Sequence, residues 1–74
     1  MNKYLNITGK SGIKGYELGN DYIDIVFNSG KVYRYSYQSA GVSNIEQMKI
    51  LAQKGKGLNS YIMHNVRTKY ESIR

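Results

Sequence analysis

The chain contains no cysteine, no proline and no tryptophan, and it has one phenylalanine and one histidine. Without cysteine, neither disulfides nor thiolate metal sites can support the fold, and redox chemistry says nothing about the compartment. No run of apolar residues approaches the roughly 20 that a membrane-crossing helix needs, and Met1 to Lys10 lacks the apolar stretch of a secretion signal. The chain therefore reads as cytoplasmic, and there the Asn6-Ile7-Thr8 sequon is a chance occurrence. There are no repeats, low-complexity stretches or proline-rich linkers to divide it.

The same scarcities argue against chemistry. A nucleophile and base pair reduces to Ser or Thr with His64, and nothing around His64 resembles a motif that activates a hydroxyl. One histidine and five scattered acids, of which only Asp21 and Asp24 are close together, give no metal-ligand spacing. Lys54-Gly55-Lys56-Gly57 lacks Walker spacing and follows no strand. The residues thus point away from an enzyme, a metal or a cofactor and toward a binding module.

What is present is positive charge and tyrosine. Eleven Lys and Arg against five Asp and Glu give a net charge of +6, which favours anionic partners. Eight tyrosines supply an aromatic surface whose hydroxyls need partners. Seventy-four residues make a single domain, since a chain of this length buries only about 60% of its unfolded surface.

Two β-branched and aromatic runs, 22–27 and 31–37, flank Asn28-Ser29-Gly30, a hairpin signal. A three-residue loop with Gly30 left-handed pairs Ile23 with Tyr35, Asp24 with Arg34 and Ile25 with Tyr33. That register puts apolar groups on one face and opposite charges across the other, so it is preferred over a two-residue loop. Ile23, Ile25, Phe27, Tyr33, Tyr35 and Tyr37 then face the core, with Tyr22, Asp24 and Arg34 on the uncovered side. Residues 13–18 read as a third strand, and residues 1–10 as a tail or loosely held edge ahead of a domain over 11–74.

The second half changes period. Ser43-Asn44-Ile45-Glu46 has capping-box form, and Ile45, Met48, Leu51 and Ala52 recur at helical spacing until Gly55. Leu58, Tyr61, Ile62 and Val66 share one face of a second helix expected to end near Thr68, with Ser60, His64 and Arg67 on the other. The fold class is α+β: a three-stranded antiparallel meander covered on one face by two helices, βββαα.

Ile23-Asp24-Ile25-Val26-Phe27, then Ser29-Gly30, Tyr33-Arg34-Tyr35 and Val66-Arg67-Thr68-Lys69-Tyr70, taken in order, resemble the KTSC domain, named for its occurrence at the C-terminus of some lysyl-tRNA synthetases. The similarity runs from about Ser11 to Tyr70. It implies a role in RNA binding without catalysis, and its motif positions fall on Tyr33, Tyr35, Arg67 and Tyr70. The chain departs from the family pattern where Gln38-Ser39-Ala40-Gly41-Val42 replaces a Val-Pro and where Tyr61-Ile62-Met63 stands.

The expected partner is RNA or another nucleic acid, contacted through phosphates by Lys54, Lys56, Arg67 and Lys69, with Tyr70 stacking or supporting and Arg34 outlying. The plainer readings are solvated lysines and arginines, and tyrosines that fill a core. A protein partner docking on a sheet edge or on the surface around Ile50 is the alternative function.

Overall fold

The computed structural model describes residues 1–7, 9 and 11–74, so the threonine of the Asn6-Ile7-Thr8 sequon lies outside the described residues. Its central element is the hairpin of β3 (Tyr22–Phe27) and β4 (Val32–Ser36). Gly30 takes φ 93° and donates its N–H to the Phe27 carbonyl, while the Phe27 N–H reaches the Lys31 carbonyl. The resulting register places Ile23 opposite Tyr35, Asp24 opposite Arg34 and Ile25 opposite Tyr33, as the sequence predicts.

β2 (Ile13–Leu18) pairs antiparallel with β3 through a register shift between Ile13 and Gly15. The meander does not stop at three strands. β1 (Asn2–Lys3) adds to β2, and β5 (Ser72–Ile73) adds to β4, giving a five-stranded sheet in sequential order. The expected βββαα order is corrected here because a two-residue strand is too short to carry an alternating pattern. At Gly15 a Cβ would lie 2.7 Å from the Asn2 carbonyl oxygen, so only glycine lets β1 close onto β2. Ahead of β2, Tyr4 is buried and its hydroxyl accepts the Leu58 N–H.

Two further corrections concern the helices. Tyr37 leaves the strand and opens a short helix, α1 (Tyr37–Ala40), because the Ser36 hydroxyl accepts the Ser39 N–H while the Ser39 hydroxyl accepts the Ser36 N–H. That reciprocal box stops β4, whereas Ser43 and Glu46 do not cap the next helix as expected, Glu46 accepting the Tyr37 hydroxyl instead. α2 (Val42–Lys54) then starts at Gly41 without a side-chain cap and stops at Gly55. The last helix is not regular to Thr68: α3 (Leu58–Tyr61) passes into a wider π-helical turn over Ile62–Val66. No helix among the described residues is long and apolar enough to cross a membrane.

The core lies between one sheet face and the helices. Ile23, Ile25 and Tyr35 from the hairpin meet Ile45, Met48 and Ala52 of α2 and Leu58, Ile62 and Val66 beyond it, all buried. Ile50 stands on the outer side of α2, about half exposed. Burying one isoleucine side chain contributes about 1.5–3 kcal/mol in removed apolar area, and a cavity adds to its loss. Ile25→Ala is therefore expected to lower unfolding stability by about 2–5 kcal/mol, read as a reduced urea midpoint at unchanged slope. Ile50→Ala should stay within about 0.5 kcal/mol of the parent.

Candidate functional site

The helical layer is shorter than the sheet face it covers, and the uncovered end of that face forms a groove of about 400 Å³. Phe27, Tyr33 and Tyr35 form its floor, Ile62 and Met63 form the helical wall, and Thr68 and Tyr70 form the rim. Strand pleating brings the floor residues together, because Phe27 and Tyr33 belong to the same face of paired strands. The rings interlock edge to face: Phe27 and Tyr33 are 5.0 Å apart, Tyr33 and Tyr70 5.2 Å, and Tyr35 and Tyr70 6.3 Å between centroids. Such pairs contribute about 0.5–1.5 kcal/mol beyond the area they bury.

Tyr35 is fully buried at the inner end, Tyr33 is half-buried, and Tyr70 keeps about a third of its surface exposed. The aromatic lining thus grades from core into solvent. Two cations flank it, Lys31 just after the hairpin turn and Arg67 just after the π-helical turn, both exposed. Ser29 and Asn59 add polar groups to an otherwise apolar lining. Aromatic edges and faces beside free cations suit a flat aromatic group that carries negative charge nearby.

The opposite sheet face holds a different constellation. Asp24 is 3% exposed although no helix among the described residues covers that face, because two arginines lie over it. Its Oδ1 accepts from Arg34 Nε at 2.8 Å, and its Oδ2 accepts from Arg34 Nη2 at 3.0 Å and Arg74 Nη2 at 3.1 Å. The Arg34 guanidinium also lies 4.0 Å above the Tyr22 ring. The hydrogen bonds from Arg34 to Asp24 raise the arginine pKa further above its already high value. This face is a charge-assisted hydrogen-bond network in which one carboxylate serves two arginines, with Arg34 committed to Asp24.

The sequence-derived residues therefore separate. Arg67 and Tyr70 meet in the groove with Tyr33 and Tyr35, so the four positions singled out by the resemblance line one feature. Lys69 lies between them in sequence and is exposed, its N–H bonded to the Val66 carbonyl. Lys54 ends α2 and Lys56 lies in the connection to α3, where the Ile7 N–H reaches the Gly55 carbonyl, and neither lines the groove. Arg34 is on the far side of the sheet. His64 is exposed, and no three His, Asp or Glu gather as a metal site among the described residues.

Phe27, Lys31, Asn59 and Met63 were missed as groove residues. Pleat parity carried a signal for two of them, since Phe27 and Lys31 share the face of Tyr33. The other two depend on where the π-helical turn sets the wall, which no local pattern encodes. Comparison of the chain with family models, curated proteins and solved structures yields no match.

Burial pushes the Tyr35 phenol up from the ordinary value near 10 to about 12, and the neighbouring Tyr33 and Tyr70 add to the shift. Its protonated form belongs to the fold, so the associated stability is complete below pH 10 and lost as pH rises toward 12. A urea series across that window should show falling stability with a smaller pH slope in Tyr35→Phe. An identical slope in the two proteins would place the alkaline sensitivity elsewhere.

Proposed function

We propose that this chain is a non-enzymatic cytoplasmic module that binds single-stranded nucleic acid, RNA foremost, taking an unpaired base into the tyrosine groove. The observation that carries the reading is the convergence of Tyr33, Tyr70 and Phe27 with Lys31 and Arg67 on one groove. Base stacking on an aromatic side chain is worth about 1–3 kcal/mol and tolerates any sequence. Phosphates follow the bases at a distance that side chains as long as Lys and Arg span, which gives the two cations a role beside the rings. The net charge of +6 adds long-range attraction. The resemblance to the KTSC domain supports the same reading through its association with a tRNA synthetase.

A duplex keeps its bases stacked within the helix, so the groove discriminates against it. The six residues singled out from sequence have unequal parts in this reading. Arg67 contacts phosphate and Tyr70 the base, with Lys69 as a flanking phosphate contact. Lys54, Lys56 and Arg34 contribute only to the general field.

The test is a titration of a short fluorescent single-stranded RNA at several salt concentrations, with its duplex as control. Three phosphate contacts, from Lys31, Arg67 and Lys69, give a log-log salt slope of about −2 for a single strand. Tyr70→Ala should weaken binding by about 1–3 kcal/mol. Arg67→Ala should weaken it and flatten the slope, while the Lys54→Ala, Lys56→Ala pair changes little. Equal loss from the lysine pair and from Arg67→Ala would replace the groove with a diffuse basic surface. No binding at low salt would end the nucleic-acid reading in favour of a protein partner.

A further inference from the structure

β5 is two residues long, and an edge strand of that length frays unless something besides its own ladder holds it. Beyond its pairing of Ser72 with Arg34 and Ile73 with Tyr33, the flanking backbone also bonds β4: Arg74 and Val32 exchange N–H to carbonyl bonds at 2.8 and 2.9 Å, and the Glu71 N–H reaches the Arg34 carbonyl. The extra hold comes from side chains on both faces of β4. On one face the Arg74 guanidinium reaches across β4 to the buried Asp24 of β3. On the other, Tyr70, two residues before the strand, sets its ring against Tyr33 and Tyr35. The segment from Tyr70 to Arg74 therefore straps β4 from groove side to open side.

We infer that Arg74 and Asp24 are positioning residues for the groove on the opposite face: their ion pair fastens β5, and β5 holds Tyr70 at the groove rim. Neither lines the groove. Asp24 suits this task because its carboxylate is already oriented by two bonds from Arg34, so Arg74 meets a fixed acceptor. Such an anchor holds the strap where two mobile surface side chains would not. That Tyr70 matters for binding rests on the nucleic-acid reading above; the fastening itself does not.

The test compares the parent with Arg74→Gln, which removes the charge, and Arg74→Lys, which keeps it without the planar fork. The Arg74 side chain is 56% exposed, so neither change threatens the core. In Arg74→Gln, the Arg74-position and Glu71 amides should exchange with solvent about 3–10-fold faster. The Tyr70 ring resonances should move toward those of an unpacked tyrosine, and Arg74→Lys should restore part of both changes. Affinity for the short single-stranded RNA should fall in proportion to the fastened population that is lost, and so by a smaller factor than the exchange rises.

Unchanged exchange and unmoved Tyr70 resonances in Arg74→Gln would overturn the inference. So would an affinity loss with Tyr70 unmoved, because Arg74 would then be touching RNA itself. If the parent binds no RNA, the nucleic-acid reading fails, while the exchange and ring measurements still decide whether the strap exists.

Discussion

The structure depends on the pairing register that the Asn28–Gly30 turn imposes on β3 and β4. With Gly30 in the left-handed region, residues whose numbers sum to 58 face each other: Ile23 with Tyr35, Asp24 with Arg34, Val26 with Val32. A slip of one residue would send every side chain of one strand to the other face. The core would then lose Ile25 or Tyr35, Asp24 would lose Arg34, and the floor of the groove would disperse. One turn conformation thus determines the apolar layer, the buried ion network and the aromatic groove together.

Two-sidedness follows from that register. The inner face carries isoleucines near the middle of the sheet, where α2 covers them, and aromatic rings toward the hairpin end, where cover runs out. The outer face has no covering helix, yet its carboxylate is sheltered by arginines whose aliphatic stems and planar heads shield it from water. The net positive charge is therefore not one patch. Arg34 and Arg74 are committed to Asp24, Lys31 and Arg67 flank the groove, and Lys54 and Lys56 sit by the α2–α3 connection.

Much of this was legible in the residues. Period-two alternation identified the inward side chains of the hairpin, and the glycine of the turn selected between two registers that differ by one residue. Helical spacing identified Ile45, Met48 and Ala52 as buried and Ile50 as exposed. What escaped was whatever lacked a repeat. β1 and β5 are too short to show a period, the Ser36–Ser39 box competes with a strand that by pattern continues to Tyr37, and the π-helical turn leaves the apolar spacing of Leu58, Ile62 and Val66 intact. The groove was half legible: parity placed Tyr33 and Tyr35 on the helical side, but whether helices fully cover them depends on where α3 stops. The pairing of Arg74 with Asp24 gave no signal, because the two lie fifty residues apart.

The absence of cysteine makes the register directly measurable by cross-linking. Val32 turns its N–H and carbonyl toward Arg74, just after β5, so Val26 and Val32 are a pair without hydrogen bonds between them, with Cα atoms about 4.5 Å apart. That spacing lies within the range a disulfide spans. Mild oxidation of a Val26→Cys, Val32→Cys protein should form the intramolecular bond readily and leave the fold intact. A Val26→Cys, Tyr33→Cys protein should not form it, because those side chains leave opposite faces of the sheet. The reverse outcome would mean that the strands pair one residue out of step, and the two faces described above would not exist.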